Sequence, residues 1–358
     1  MRQAWRPSGA AGAACYGAMM ASRRTILGAA AGMALGGGFP ALAKPARLAT
    51  RLPPRLRTGD IVALVEPASP LEDPSQIAEV ADMVRAMGLR PKLAPHVGAV
   101  EGYLAGTDDE RASDINAMIA DPDVRALFAV RGGWGSARIL PLIDWNAVRA
   151  DPKLLIGFSD ITGLHLAFAA RAGFPTLHAP NAGGRWPADS WNSLWWLAFA
   201  GSAPVLDLRR HGGWPHPEFA VLSDGVAQGR LLGGNLSVLS ALIGTPWMPD
   251  MRGAVLFLED VGEAPYRIDR MMSQLALSGM LAEVAGVIFG QCTNCAARTA
   301  DSVSVADVMR HHLGALGVPV CIGANIGHVA NQLSLPSGAQ VRLDAGQGTL
   351  AILQAIVA

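Results

Sequence analysis

From about residue 55 onward the chain alternates short, unbroken apolar runs with segments whose apolar residues recur at helical spacing. The runs include "IVALVEP" (61–67), "VRALFAV" (124–130), "LLIG" (154–157), "AVLFLED" (254–260) and "AGVIFGQ" (285–291). Apolar stretches of this length without strict alternation suit strands covered on both faces. Between them, "PSQIAEVADMVRAMG" (74–88) predicts an amphipathic helix ended by Gly88. "TDDERASDINAMIAD" (107–121) opens with Thr107 and Glu110 at the spacing of a capping box, and "SVADVMRHHLGALG" (304–317) predicts a further helix. Strands that alternate with helices predict an α/β fold built on mostly parallel sheets.

The length of 358 residues suits two packed domains. The pattern assigns residues 55–180 to an N-terminal α/β domain and 225–358 to a C-terminal one. Residues 181–224, dense in Gly, Pro and Trp, read as a linker carrying one Trp-rich helix, "SWNSLWWLAFAG". Residues 1–43 differ from the rest. Arg23 and Arg24 precede a weakly apolar Gly/Ala run, followed by Pro40 and the triplet Ala41, Leu42, Ala43. That layout predicts a cleavable export signal of the twin-arginine type, hence a periplasmic protein with no stable membrane insertion after signal removal. Without export the chain is cytoplasmic.

Lys and Arg balance Asp and Glu at net charge zero and gather into no basic stripe, which argues against a nucleic-acid partner. Four cysteines are few for a disulfide scaffold. Cys292 and Cys295 have the spacing of half a zinc site, but no second pair exists, so a local disulfide or buried thiols fits better than a metal site.

The candidate chemistry begins at "IGFSDITGLH" (156–165). Ser159 follows a strand and precedes a helix, where backbone N–H groups and the helix dipole stabilise an oxygen that gains negative charge. Gly157 permits a tight turn, but Ile161 breaks the G-x-S-x-G elbow, and serine is favoured at helix starts for capping alone. Cap and nucleophile both remain open on these residues. Glu259 and Asp260 end an apolar strand, where ligand crevices of α/β sheets form. Glu263 is a rival carboxylate. His328 follows Gly327 in a loop; His165 and His178 compete with it, although His165 falls on an apolar helical face. Gly132 and Gly133 in "RGGWGSAR" let backbone N–H groups turn toward an anion, whereas the stretch is a poor dinucleotide fingerprint. Trp134 and Asn235 lie in glycine-rich turns as candidate cleft residues. Arg131, Lys153, Arg230 and Arg267 are candidate partners for a substrate carboxylate. An enzyme and a two-domain periplasmic binding protein that closes on a small ligand both fit these residues.

In order along the chain, "GDIVALVEPASP", "RGGWGSARILPLIDW", "DPKLLIGFSDITGLHLAF", "GRLLGGNLSVLSALIGTPW", "LFLEDVGEAPYRIDRMM" and "GHVANQLSLPSG" resemble the sequence blocks of the LD-carboxypeptidase, or muramoyltetrapeptide carboxypeptidase, family, which includes the microcin C immunity hydrolases. The resemblance covers roughly residues 55–350. It implies two α/β domains with the active site at their junction and a serine peptidase with Ser159, His328 and Glu259 as its triad. It also implies an oxyanion hole from the backbone N–H groups of Gly133 and Asp160, and no metal or other cofactor. The implied reaction releases terminal D-alanine from peptidoglycan tetrapeptides through an acyl-enzyme; hydrolysis of peptidyl-nucleotide amides of the microcin C kind is the alternative. Family members are commonly homodimers.

Overall fold

The computed structural model describes residues 51–209, 219–297, 299 and 303–358. The expected export signal lies outside the described residues. Among the described residues, fourteen strands run in chain order: β1 Ile61–Val65, β2 Arg90–Leu93, β3 Val124–Ala129, β4 Leu154–Gly157, β5 Thr176–His178, β6 Val205–Asp207, β7 Ala220–Ser223, β8 Val226–Asn235, β9 Val255–Val261, β10 Gly286–Thr293, β11 Val320–Ile322, β12 Leu335–Ser337, β13 Gln340–Asp344 and β14 Thr349–Ile352.

These strands form a six-stranded sheet, ordered β12-β5-β4-β3-β1-β2, and an eight-stranded sheet, ordered β6-β14-β13-β8-β9-β10-β11-β7. The fold is α/β, with a first sheet parallel throughout except for β12. The second sheet is more mixed than the sequence pattern suggests. β8, β9, β10 and β11 run parallel, while β7, β13, β14 and β6 add antiparallel edges. Its parallel centre is made of the unbroken apolar runs. β9 is buried at every position but its last, and β10 except at its last two.

Helices cover both sheets. Asp108–Ala120 carries the predicted capping box, and Thr162–Arg171 is buried along nearly its whole length because it packs between the sheets. Leu166 and Phe168 share an apolar cluster with Leu236 and Leu239, and Phe128 and Leu177 share another with Leu231 and Phe257. Strands also cross the expected boundaries: β12, from the C-terminal half, pairs with β5 in the first sheet. Residues 181–224 contain the Trp-rich helix and also supply β6 and β7 to the second sheet. The order β2-β1-β3-β4-β5 places a topological switch between β1 and β3, and ligand crevices form outside the carboxyl ends of strands at such a point.

Candidate active site

Ser159, His328 and Glu259 form one chain of hydrogen bonds. The Ser159 Oγ lies 3.0 Å from His328 Nε2, and His328 Nδ1 lies 2.8 Å from Glu259 Oε2. β4 is completely buried and delivers Ser159 at its carboxyl end. The serine starts a short 3-10 turn, Ser159–Ile161, that leads into the helix Thr162–Arg171. Its φ of +65° is in the left-handed region, costly for a residue with a side chain, and such strain concentrates at functional sites. The N-cap of that turn is Phe158, which makes no side-chain cap bond, so the hydroxyl of Ser159 faces the imidazole instead of serving as the cap.

Glycines make room for this geometry. A Cβ on Gly132 would lie 2.9 Å from Ser159 Cβ and 3.2 Å from its Oγ, so the Gly132–Gly133 turn rests directly against the serine. A Cβ on Gly327, whose φ is +99°, would come within 2.5 Å of Glu259 Oε2. The backbone before His328 therefore approaches the carboxylate as closely as only glycine allows. Thr293 Oγ1 donates to the His328 carbonyl at 2.9 Å, and the Phe158 ring lies 4.7 Å from the imidazole. Glu259 is fully buried in β9 and is the carboxylate that meets His328. Glu263 instead is 24% exposed and faces Arg267 at 3.6 Å. An imidazole held between a buried carboxylate and a hydroxyl can accept the hydroxyl proton while the carboxylate holds its ring and stabilises the cation formed.

Ser159 opens on a cleft of roughly 320 Å³ lined by residues from both sheets, among them Gly133, Trp134, Arg138, Asp160, Asn235 and Glu263. Gly133 and Asp160 thus flank Ser159 at the carboxyl ends of β3 and β4. The Asp160 carboxylate is buried, which raises its pKa, and it accepts from the Ser136 N–H at 2.7 Å. Asn235 lines the cleft through its place at the end of β8. Its side chain caps the helix Leu236–Leu242 by accepting from the Val238 N–H, and donates to Asp260 at 3.2 Å. Its own N–H donates to Thr162 Oγ1 at 2.9 Å, a bond that joins the two sheets next to the serine. Trp134 is half exposed and stacks edge-on with Tyr103, at 5.5 Å between centroids.

The remaining candidates do not line the cleft. His165 is wholly buried, with Nδ1 2.8 Å from Thr176 Oγ1 and Nε2 2.8 Å from the Gly157 carbonyl; burial pushes its pKa down to about 4. His178 is also wholly buried and its pKa is lowered by burial, with His165 and His328 adding to the effect. Lys153 donates to the carbonyls of Asp121 and Val124, and Arg131 donates to the Pro70 carbonyl. Arg230 is a partly buried residue bonded to the Ala169 carbonyl, and Arg267 is paired with Glu263. The basic side chain that lines the cleft is Arg138, bonded to Asp108 and missed in the sequence because an arginine on a short helix carries no distinguishing signal. Also missed was Ser69, whose Oγ accepts the Trp134 N–H at 3.1 Å and braces the Gly133 turn. Cys292 and Cys295 are bonded to each other. Among the described residues no helix is long and apolar enough to cross a membrane.

The chain is similar to known proteins along most of its length. Residues 62–179, which hold Ser159, match the LD-carboxypeptidase N-terminal domain, and residues 228–343, which hold Glu259 and His328, match the LD-carboxypeptidase C-terminal domain. The carboxypeptidase-named protein SCO6489 of Streptomyces coelicolor is 42% identical over 306 residues, covering 84% of this chain and 95% of that protein. The murein tetrapeptide carboxypeptidase of Pseudomonas aeruginosa is 33% identical over 290 residues, covering 77% of this chain and 91% of that protein. The structure of MccF in complex with glutamyl sulfamoyl guanosine has the same fold, with a TM-score of 0.77 at 24% identity over 86% of this chain and 99% of that one. Two matched domains in order, and relatives at this identity over nearly their whole length, place the chain in the LD-carboxypeptidase family of peptidases.

Proposed function

We propose that the chain is a serine-type LD-carboxypeptidase that removes the terminal D-alanine from peptidoglycan tetrapeptides. The observation that carries this reading is the Ser159–His328–Glu259 chain, with contacts of 3.0 and 2.8 Å, at the wall of a cleft. His328 takes the Ser159 proton as Oγ attacks the carbonyl of the scissile amide. Glu259 holds the imidazole in the tautomer with its proton on Nδ1 and stabilises the imidazolium. The N–H groups of Gly133 and Asp160 receive the oxyanion. His328 then gives its proton to the leaving amine, D-alanine departs, and water, deprotonated by the same imidazole, hydrolyses the ester and restores the serine.

Arg138 suits the terminal carboxylate that defines a carboxypeptidase substrate, since it is the basic side chain lining the cleft. The name of the Pseudomonas relative supports murein tetrapeptide as the substrate. Incubation of the purified chain with disaccharide tetrapeptide is expected to yield tripeptide and one equivalent of D-alanine. Tetrapeptide left intact, or cut at another bond, overturns the proposal. A serine-directed fluorophosphonate is expected to label the protein, and absence of labelling would count against a non-binding, catalytic serine. Export through residues 1–43 belongs to the same proposal, motivated by the paired arginines and the Ala41–Leu42–Ala43 triplet. Cell fractionation is expected to find a shortened chain in the periplasm, and a full-length cytoplasmic protein would overturn that part.

A further inference from the structure

Resting on the proposed carboxypeptidase reading, we infer that the side chains of Arg111 and Asp160 are positioning residues for the oxyanion hole. Together they grip one peptide unit, Gly135–Ser136, and so hold the Gly133 N–H in place beside Ser159.

The turn from Gly132 to Ser136 has little stiffness of its own, because Gly133 and Gly135 have φ values of +107° and +120°, which glycine enters and leaves freely. It is held from outside. Ser69, in the loop after β1, donates its N–H to the Gly132 carbonyl at 3.2 Å and accepts the Trp134 N–H on its hydroxyl at 3.1 Å. At the far end both polar atoms of a single peptide unit are engaged. Arg111 Nη1 donates to the Gly135 carbonyl at 2.9 Å, and the Ser136 N–H donates to Asp160 Oδ2 at 2.7 Å. A peptide unit is planar, so holding its carbonyl and its N–H fixes its orientation. None of these bonds uses the Gly133 N–H.

Each grip also reaches another part of the site. The same Arg111 nitrogen donates to the Pro67 carbonyl at 2.7 Å, which ties the loop bearing Ser69 to the turn. Asp160 is the residue whose own N–H serves as the second proposed oxyanion donor, and its carbonyl accepts from the Ser136 hydroxyl. The backbones that carry the two donors are therefore joined through Asp160 and Ser136. Arg111 is 2% exposed and Asp160 3%. Burial raises the Asp160 pKa, and the bonds from Ser136 and the charge of Arg111 act against that rise. Burying two ionisable side chains is costly, and apolar ones of similar volume often serve stability as well. What apolar side chains cannot supply is the pair of directed bonds on Gly135–Ser136.

The test uses Asp160→Ala, Asp160→Asn and Arg111→Met, each shown by circular dichroism to be folded at the assay temperature. Asp160→Ala removes the acceptor for the Ser136 N–H. It is expected to lower kcat on disaccharide tetrapeptide roughly a hundredfold with KM changed less than about threefold, the pattern of a misplaced transition-state donor. Arg111→Met keeps the buried stem without the donor, with a loss of the same order expected. Asp160→Asn keeps an oxygen that accepts the Ser136 N–H and is expected to stay within about fivefold of the wild type. The second readout, which a purely structural role would not move, is inhibition by a peptide boronic acid. Ser159 Oγ bonds to its trigonal boron while the serine proton passes to His328, giving a tetrahedral anion with an oxygen where the oxyanion forms. Its inhibition constant is expected to rise in Asp160→Ala and Arg111→Met by the factor that kcat falls. Wild-type kcat and boronate affinity in either folded variant would overturn the paired grip, as would a KM that rises by the same factor as the boronate constant. Asp160→Asn as slow as Asp160→Ala would also overturn it. Should Arg111→Met not fold, Arg111→Lys replaces it, since its ammonium stops short of the two carbonyls; parallel losses in kcat and boronate affinity support the assignment and wild-type values overturn it. All these failures leave the carboxypeptidase reading intact. If the wild-type protein releases no D-alanine, the proposed function falls and this assignment falls with it.

Discussion

Acid should destabilise this fold through His165, by an amount that its surroundings set. The imidazole is wholly buried on the helix behind Ser159, with one nitrogen on the Gly157 carbonyl and the other on the Thr176 hydroxyl. Both ring positions are satisfied in the neutral form, and burial lowers the pKa from 6.5 to about 4. Between those values the unfolded chain binds a proton that the folded chain refuses. His165 therefore contributes stability that is complete above the unfolded pKa and is lost as pH falls toward the folded one. At about 1.4 kcal/mol per unit the whole linkage is about 3 kcal/mol, of which about 2 kcal/mol is lost by about pH 5. His178 shifts in the same direction, whereas Glu66, Asp160 and Asp260, with pKa values raised by burial, act oppositely. The effect is isolated by comparing wild type with His165→Gln in urea unfolding followed by tryptophan fluorescence, at about pH 7.5 and about pH 5. Packing costs of the substitution that do not depend on pH cancel in the double difference. Wild type is expected to lose about 2 kcal/mol more than the variant between the two conditions. Equal losses would refute a neutral, buried His165.

Three further outcomes follow from the geometry. Gly327→Ala forces a Cβ to within 2.5 Å of Glu259 Oε2 at a left-handed φ. It should cost roughly 2–4 kcal/mol of stability or displace His328 with a loss of at least about a hundredfold in kcat, read by thermal unfolding and peptide hydrolysis. Glu259→Gln keeps the shape but removes the charge that holds the imidazole, and should lower kcat on the order of 10⁴-fold with little change in folding, read by steady-state kinetics and circular dichroism. Thr293, between Cys292 and Cys295, holds the His328 carbonyl with its hydroxyl and accepts from the Gly262 N–H. Reduction by a dithiol should therefore lower activity several-fold in wild type but not in the Cys292→Ser/Cys295→Ser protein, and equal sensitivity of the two would remove the disulfide from the account.

The parts of the fold that were legible in the sequence are those governed by local physics. Unbroken apolar runs became β1, β3, β4, β9 and β10, and the Thr107/Glu110 spacing became a capping box with both reciprocal bonds. His165, on an apolar helical face, is a satisfied buried histidine. Nonlocal pairing was not legible. Nothing in "LPS" tells β12 to cross to the first sheet, and nothing in residues 181–224 marks β6 and β7 as edges of the second, because short strands acquire their partners only once the core has assembled. At the site, Ser159, Glu259 and His328 could be named from separate blocks, and the structure brings them within hydrogen-bond distance. The left-handed backbone of Ser159 and the approach of Gly327 to Glu259 could not be read, since both depend on contacts between segments far apart in sequence.

The central claim is that Ser159 attacks the bond to the terminal D-alanine. Its most direct test is the rate of D-alanine release from disaccharide tetrapeptide by the wild-type chain and by Ser159→Ala, with circular dichroism to show that the variant is folded. The account predicts release by the wild type and a fall on the order of 10³-fold or more in the folded variant. Release by Ser159→Ala at the wild-type rate would contradict it.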